Sequence, residues 1–380
     1  MPGRTTPLTR LVDLTVGHGL EIGPLDRPIA VRPGCDVSYL DVSERSKLQA
    51  HYGPDETVDV ERIPELDFWL EHDEGFISLK EACSGGAPFD WVLASHVIEH
   101  IPDVVGWLRQ LWEVTSVDAE LALSVPDRRF CFDVHRPATT VGQALEAHDR
   151  GDQTPSPRAV FDGHRNAVPM PAERAWAGEI PDAEDRSHTW EYTLQMLERS
   201  RRGEYVDSHV WLWSPREFVS FIDDLCHLGL VDFVVDRMLA TAHNDLEFHV
   251  VLARLPAGMD AEARDARRER VHGAVLDGLP PERTISTPEP VPDPDPVEVL
   301  EAEVAHLQIV IDALHVRVER QSGRMATLRD NVVAARHQRD RARRRVRRLQ
   351  ARLRGAQPDP RLGVLSRLRR WCALPPVPRR

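Results

Sequence analysis

One stretch of this chain, residues 89–126, constrains the fold more than any other part of the sequence. Residues 89–94 are apolar without a helical period, which is typical of a short buried strand. From Val104 to Trp112, apolar residues then recur at spacings of three and four, which predicts one buried face of a helix that Asp103 can cap. Residues 121–125 form a second apolar run, which indicates another buried strand.

The order of strand, helix and strand predicts a βαβ unit with two parallel strands and a right-handed crossover. In sheets built from such units, ligands bind beyond the carboxyl ends of the strands. We therefore expect the two loops that follow these strands, residues 95–100 and 126–132, to face one crevice.

The same stretch resembles the fourth and fifth strands of class I S-adenosylmethionine-dependent methyltransferases. The segments that carry the resemblance are FD at 89–90, HVIEHIPD at 96–103, VP at 125–126, GLEIGP at 19–24 and YLD at 39–41. The resemblance extends over about residues 15–255. It implies an α/β fold with a Rossmann-like class I methyltransferase sheet, S-adenosylmethionine as cofactor, and methyl transfer by in-line displacement.

The resemblance also implies cofactor-binding roles for the residues after the first strand. Glu21 and Gly23 match a glycine-rich first motif, in which the acidic residue orients the amino group of the cofactor. The match ends there, because residues 24–34 contain no GxGxxG and carry three prolines, which disfavour a helix. We therefore expect the first crossover helix to be short or absent.

The second predicted strand, residues 37–40, ends at Asp41. A carboxylate in this place can accept hydrogen bonds from both ribose hydroxyls, and the alternative is a role in capping the next helix. Residues 58–63 are a candidate third strand, with Asp67 near the adenine. The full predicted set of cofactor-binding residues is Glu21, Gly23, Pro24, Asp41, Ser95, His96 and Glu99.

The segment His96-Val97-Ile98-Glu99-His100 matches the HxxEH pattern of inverted zinc peptidases. That site needs a long helix with both histidines on one face, whereas here a buried strand precedes the motif and Pro102 follows it. A second alternative is a divalent metal bound by His96, Glu99 and His100 with a fourth ligand from a later insertion, as in some related methyltransferases. The favoured interpretation has no metal, with Glu99 and His100 holding the loop and His96 bordering the cofactor.

A long connection, residues 134–210, follows the fifth strand and is predicted to form a substrate lid. Three helical stretches are expected in it, near 139–149, 157–167 and 189–202. His96 and His100 are candidate general bases because imidazole titrates near neutral pH, and His135 is a third. An ordinary solvated loop or helix residue is the favoured alternative for any one candidate for contact with the acceptor. These candidates are His135, Arg136, His164, Arg165 and Asn166.

Downstream, residues 214–217 form a capping box that predicts a helix closed by Gly229. Two strands at 231–235 and 247–253 complete the sheet, and the resemblance implies that the last strand is antiparallel. The predicted divisions are a methyltransferase domain at 1–255 containing the insertion at 134–210, a charged helix and Pro-rich acidic linker at 256–296, a coiled coil at 297–354 and a basic tail at 355–380.

Residues 297–354 alternate apolar positions at spacings of three and four, with β-branched residues early at a and leucines at d, which predicts a parallel homodimer. A single helix folded back on the body is the alternative. The net charge of the chain is −13, yet residues 336–380 hold 16 arginines against two aspartates. We expect this tail to contact an anionic membrane surface or an acidic partner, and not nucleic acid, because interleaved aromatic residues are missing.

The five cysteines are scattered and form no CxxC, which favours reduced buried thiols over disulfides or a cysteine zinc site. No apolar run approaches the ~20 residues of a membrane span, and the N-terminal segment lacks the apolar core of a signal peptide. The sequence therefore predicts a cytoplasmic protein, or one bound peripherally at the inner face of the membrane.

These features predict an S-adenosylmethionine-dependent methyltransferase that methylates a hydroxyl of a sugar or another small acceptor. The segments EIGPLDRP and ASHVIEH are similar to those of bacterial enzymes associated with surface-polysaccharide assembly. One alternative is a catalytically degenerate methyltransferase fold that assembles partners through its coiled coil. Another is a different nucleotide-dependent transferase, which would bind a sugar nucleotide.

Overall fold

The computed structural model describes residues 6–72, 75–182 and 184–281, together with 343, 344 and 347. The chain divides into two units, Met1–Ser286 and Thr287–Arg380. In the second unit, the three described residues are arginines, and each is helical and exposed. The acidic linker beyond residue 281, the coiled coil and the basic tail otherwise lie outside the described residues and stay predictions.

A seven-stranded sheet forms the centre of the first unit. Its strands are β1 (His18–Ile22), β2 (Asp36–Asp41), β3 (Phe68–Trp69), β6 (Phe89–Ser95), β7 (Thr115–Pro126), β8 (Phe233–Leu239) and β9 (Glu247–Arg254). Their spatial order is β3-β2-β1-β6-β7-β9-β8. Within this sheet β1, β2, β3, β6 and β7 run parallel, and β9 is inserted antiparallel between β7 and β8.

This strand order is the Rossmann-like sheet of class I methyltransferases, so the predicted fold class is confirmed. The chain moves outward from β1 to β3 on one side and from β6 to β7 on the other side. The strand order therefore reverses between β1 and β6, which is the switch point where open α/β sheets bind ligands. The antiparallel final strand that the resemblance implied is also present.

Both faces of the sheet are buried, as the alternation along β6 shows. Val92 and Ala94 point into one apolar cluster, whereas Trp91 and Leu93 point into another on the opposite face. The second cluster is completed by the N-terminal segment and by Ile29 in the loop between β1 and β2. That loop contains no helix, as its prolines predicted. This loop and an N-terminal segment that contains only a 3-10 turn, Leu8–Arg10, thus cover the face that a first crossover helix would occupy.

The helices begin and end largely where their caps predict. They are α1 (Arg45–Tyr52), α2 (Leu79–Ala82), α3 (Val104–Val114), α4 (Val141–Arg150), α5 (Pro157–Asn166), α6 (Ala172–Ala177), α7 (Trp190–Arg201), α8 (Pro215–His227) and α9 (Ala261–Gly278). Asp103 accepts a hydrogen bond from the Gly106 amide at the start of α3, and Ser214 and Glu217 form the capping box of α8. Among the described residues, no helix combines the length and apolarity needed to cross a membrane.

The prediction of a third strand at 58–63 is wrong. A short 3-10 helix, Val60–Arg62, occupies this segment, and the strand that pairs with β2 is Phe68–Trp69. The side chain of Arg45 donates hydrogen bonds to the carbonyls of Glu61 and Ile63, at 3.2 and 2.6 Å. These bonds from a neighbouring helix satisfy carbonyl groups that a strand would present to its partner.

The segment at 71–88 contains little helix. Two short antiparallel strands, β4 (Glu71–His72) and β5 (Gly75–Phe76), come first, and helix α2 is only four residues long. The capping box of Ser78 and Glu81 sets the helix start at Leu79. In the insertion, the three expected helices correspond to α4, α5 and α7, and α6 was missed because six residues show no clear period.

Close packing between β1 and β6 gives a test of this sheet. A Cβ atom on Gly19 would lie 2.2 Å from the Trp91 indole, which is 2% exposed and cannot move aside. Replacing Gly19 with alanine should therefore destabilise the protein by about 1–3 kcal/mol. Denaturant unfolding followed by tryptophan fluorescence measures the change.

The matched control is Gly273→Ala. Gly273 lies inside α9 with no described atom near the position of an added Cβ, so alanine should stabilise the protein by up to about 1 kcal/mol. Equal stability of the Gly19→Ala variant and the parent protein would contradict this pairing of β1 with β6.

Candidate active site

The carboxyl end of β1 approaches the loop that follows β6. Gly23 has φ of +66°, in the left-handed region, and its N–H donates to the Leu40 carbonyl at the end of β2. A Cβ atom at this position would meet a methyl group of Val97 at 3.0 Å. A side chain here would be both strained and crowded, so glycine allows the end of β1 to approach the loop after β6 closely.

Glu21 holds the loop that replaces the first crossover helix. Its side chain is buried, and its two oxygens accept hydrogen bonds from the amides of Ile29 and Ala30, at 2.7 and 2.9 Å. Pro24 starts this loop with a turn, in which its carbonyl accepts from the Arg27 amide. Cofactor contact by Glu21 would have to use the remaining lone pairs of these oxygens and stays a prediction.

Asp41 lies at the carboxyl end of β2. The capping alternative is wrong, because the N-cap of α1 is Glu44, and the Asp41 carboxylate accepts from the adjacent Val42 amide at 2.7 Å. Burial raises the pKa of Asp41 to about 6, although the Val42 amide opposes the shift.

Asp67, predicted near the adenine, forms an ion pair with Arg32 and accepts a hydrogen bond from the Tyr39 amide.

The loop after β6 turns sharply at its first residue. Ser95 ends the strand, and His96 has φ of +53°, which is uncommon for a residue with a side chain. A single 3-10 turn, Ile98–His100, follows. The histidines of the HxxEH segment therefore do not lie on a long helix, in agreement with the rejection of a zinc peptidase.

The ring of His96 lies between two carboxylates. Its Nε2 is 2.6 Å from Glu247 Oε2, and its Nδ1 is 3.5 Å from Glu99 Oε1. Burial favours the neutral ring, but the hydrogen bond to Glu247 and the charge of Glu99 raise the pKa of His96 to about 10. An imidazolium does not accept a proton at neutral pH, so the predicted role of His96 as general base does not fit this arrangement.

Glu99 is the most enclosed acidic side chain of this loop. It is 1% exposed, and neither of its carboxylate oxygens accepts a hydrogen bond from the described part of the chain. Burial raises its pKa, but His96, His209 and His100 together lower it below the ordinary value. The loop thus holds a buried, ionised carboxylate among three imidazole rings.

The predicted lid brings one of those rings, His209, into the site. The backbone carbonyl of Glu99 accepts from the amides of Val210 and Trp211, at 2.7 and 3.3 Å, which fixes the end of the insertion against the loop. His100 and His209 meet edge to face, with ring centroids 4.8 Å apart. The metal alternative drawn from the sequence included a fourth ligand from the insertion but named no residue, because no local pattern marks position 209.

Each of these two histidines is oriented by a carboxylate at Nδ1. His100 Nδ1 is 2.8 Å from Asp207 Oδ1, and His209 Nδ1 is 2.6 Å from Asp133 Oδ2. Burial lowers the pKa of His100, but the bond to Asp207 raises it above the ordinary value overall. Ligand atoms of Glu99, His100 and His209 all lie within 4.8 Å of one another, so these residues could hold a metal ion.

A cavity of about 720 Å³ opens beside this cluster and is walled mainly by the insertion. His100, His209 and the half-exposed Phe132 line it. Of the residues predicted to contact an acceptor, His164 also lines the cavity. A cavity of this size accommodates a small organic molecule.

The other predicted acceptor contacts are engaged elsewhere. His135 bonds the Pro181 carbonyl through Nε2 at 2.8 Å, Arg165 stacks on Trp190, and Asn166 donates to a carbonyl of its own helix. None of the three lines this cavity. Arg136 is buried beneath it and pairs with Asp133 at 2.7 Å, so its role is to support His209 rather than to contact a ligand.

The buried pair of Arg136 and Asp133 gives a test of this support. Arg136→Met leaves the fully buried Asp133 carboxylate without its cationic partner and should cost about 3–5 kcal/mol of unfolding free energy. Chemical denaturation measures the loss.

The matched control, Arg158→Met, breaks an exposed Arg–Asp pair with Asp162 in the same insertion and should cost at most about 1 kcal/mol. Similar losses in both variants would argue against a buried network under the cavity.

No family model and no curated protein sequence matches the chain. A protein from Rhodobacter sphaeroides, provisionally described as a Zn-dependent alcohol dehydrogenase, is 13% identical over 67% of this chain and 92% of its own, with a TM-score of 0.37. A provisionally described S-adenosylmethionine-dependent methyltransferase from Listeria monocytogenes is 13% identical over 66% and 95%, with a TM-score of 0.32. A SAM-dependent methyltransferase from Thermotoga maritima is 13% identical over 66% and 86%, with a TM-score of 0.30.

These similarities are distant. All three identities are below 25% and all three TM-scores are below 0.5, so no activity or cofactor is taken from them. The strand order of the chain itself defines its fold.

Proposed function

We propose that the protein is an S-adenosylmethionine-dependent methyltransferase whose acceptor enters the cavity of the insertion. The supporting observation is the position of the loop after β6. Val97 of this loop lies against Gly23 at the switch point of the sheet, and three residues later His100 lines the cavity. A donor in the crevice and an acceptor in the cavity would therefore meet at the loop after β6.

The residues around the crevice fit the proposed cofactor. Gly23 allows the close backbone approach that the methionine part requires, and Asp41 can accept the two ribose hydroxyls. Asp41 has only the Val42 amide as a described hydrogen-bond partner, so capacity for a ligand remains. S-adenosylmethionine supplies an electrophilic methyl group, and the contribution of this chain is to hold the two reactants in line and exclude water.

For the acceptor, we propose a hydroxyl of a sugar or another small molecule. The cavity combines an aromatic face, Phe132, with polar groups of Asp207 and His188. This combination suits a ring that is apolar on its faces and polar at its edge. A place in surface-polysaccharide assembly, a parallel homodimer through residues 297–354 and contact of the basic tail with an anionic surface or an acidic partner remain further proposals, which rest on sequence alone.

One specific observation favours the alternative of a non-catalytic scaffold. The loop at 24–35 provides no helix N-terminus at the switch point, and Glu21 already bonds that loop. A fold of this kind could have lost its cofactor and kept its shape. A measurement of S-adenosylmethionine binding distinguishes the methyltransferase from the scaffold.

The full-length protein should bind S-adenosylmethionine and S-adenosylhomocysteine in calorimetric titration. Asp41→Ala should weaken binding by at least about tenfold to a hundredfold, because even one hydrogen bond to a charged group contributes about 1.5–3 kcal/mol. Asp55→Ala, which removes an exposed carboxylate bonded only within its own turn, is the control. Absence of heat with either ligand, in protein shown to be folded, would sink the enzyme proposal and favour the scaffold.

The same titration should depend on pH. The carboxylate form of Asp41 accepts both ribose bonds, and burial raises its pKa to about 6, so affinity should be constant above pH 7 and fall as the pH drops through 6. The described titratable neighbour in α1, Tyr52, has its own pKa raised by burial and by Asp207 and Asp41, and it stays neutral in this range. Asp41→Asn should flatten the profile, and an unchanged profile would remove Asp41 from the ribose site.

A further inference from the structure

We propose that Glu99, His100 and His209 bind a divalent transition-metal ion whose open coordination positions face the cavity of the insertion. The three residues come from two parts of the chain, the loop after β6 and the end of the insertion. Two imidazoles and one carboxylate form a ligand set that suits zinc and other first-row transition metals better than magnesium or calcium.

The first support is the unsatisfied state of Glu99. Its side chain is 2% exposed, and both oxygens lack hydrogen bonds within the described residues. The imidazole nitrogens of His96 and His100 lie 3.5 and 4.0 Å from Oε1, which is too far for strong hydrogen bonds. A buried carboxylate without hydrogen bonds is costly, and a dication bound to its oxygens would remove that cost.

The second support is the orientation of the two histidines. Asp207 and Asp133 accept from the Nδ1–H groups of His100 and His209, which leaves the Nε2 lone pair of each ring for another partner. A carboxylate that fixes the tautomer and direction of an imidazole in this way is the usual support of a metal-binding histidine. Asp133 is in turn held by Arg136, whose guanidinium also donates to the His209 carbonyl.

The third support is the rigidity of the backbone that joins the ligands. The Glu99 carbonyl binds the amides that directly follow His209, and the Trp211 indole donates to the Ile101 carbonyl. The ligand atoms spread over as much as 4.8 Å, wider than the ~3–3.5 Å edge of a site with bonds of about 2.0–2.1 Å. Small rotations of the side chains would close the site around an ion without moving the backbone.

His96 is not part of this ligand set. Its Nε2 is bonded to Glu247, and the cluster of mutually close ligand atoms excludes it. The interpretation favoured from the sequence has no metal, and its metal alternative grouped His96 with Glu99 and His100. In the proposed site, His209 takes the place that the sequence alternative gave to His96.

The position of the cluster deepens the proposed function, on which this step rests. His100 and His209 line the cavity, so an acceptor there could present an oxygen to the ion. The ion would lower the pKa of a bound hydroxyl and reduce the need for a separate base. In the transfer, a bond forms between that oxygen and the methyl carbon, the bond between sulfur and methyl breaks, and the hydroxyl proton leaves to solvent through the cavity mouth.

Metal binding is tested on the full-length protein after chelator treatment, without any cofactor. Titration with Zn²⁺ by calorimetry, and with Co²⁺ by visible absorption, should give one ion per chain and the absorption bands of a protein-bound cobalt ion. His209→Ala and Glu99→Gln should each weaken Zn²⁺ binding by more than about 100-fold. His164→Ala, which alters a cavity histidine outside the cluster, should leave it unchanged.

A fourth variant tests the supporting carboxylate. Asp207 is well exposed, so Asp207→Asn should fold normally, yet it should weaken Zn²⁺ binding by about 10–100-fold because His100 loses its orienting partner. Thermal unfolding of each metal-free variant identifies any that fail to fold. No binding of either ion to folded parent protein, or binding that Glu99→Gln and His209→Ala both leave intact, would overturn the proposal.

Failure of this inference is distinguishable from failure of the proposed function. Protein that binds S-adenosylmethionine but neither ion would keep the methyltransferase proposal and reject the metal. Protein that binds the ion but neither S-adenosylmethionine nor its demethylated product would keep the metal site and reject its role in methyl transfer.

Discussion

The buried carboxylate of Glu99 is the constraint around which the carboxyl end of this sheet is arranged. An ionised group removed from water needs compensating charge close by. His96 carries a positive charge 3.5 Å away, and the rings of His100 and His209 lie beside the carboxylate. His209 reaches that position only because the insertion returns to the sheet and its backbone amides bind the Glu99 carbonyl. Asp133 and Arg136 then form a buried layer that keeps the His209 ring in place. The insertion, the cavity and the loop after β6 are thus one connected structure.

On the other side of the switch point, the loop between β1 and β2 covers the sheet without a helix. Where a helix would cover the sheet, an extended loop does so, and the Glu21 carboxylate satisfies two of its amides in the buried layer. Gly23, at the start of this loop, adopts a left-handed backbone conformation. Regular secondary structure is therefore not required at this position, as long as the buried backbone groups find partners.

Most of the sheet could be predicted from the sequence, because strands buried on both faces are short apolar runs. The starts of helices could be predicted from capping residues such as Asp103 and Ser214. The third strand could not. Phe68–Trp69 is two residues long and pairs with β2 through a short contact that no periodicity marks. The candidate site could be predicted only in part, because only some of its residues form a pattern along the sequence. Its residues on the loop after β6 belong to one motif, whereas His209 lies 109 positions beyond His100 and is brought in by tertiary contacts.

By itself, the sequence determined the βαβ unit, the capped helices, the missing first crossover helix and the place of Asp41 at a strand end, since each follows from local spacing or from the conformational limits of proline. The tertiary structure decided which groups meet. It directed Glu21 to its own loop, paired His96 with Glu247, and set His209 against Glu99. Such choices depend on burial and on long-range contacts, which fix the partners of a charged side chain but leave no periodic trace along the chain.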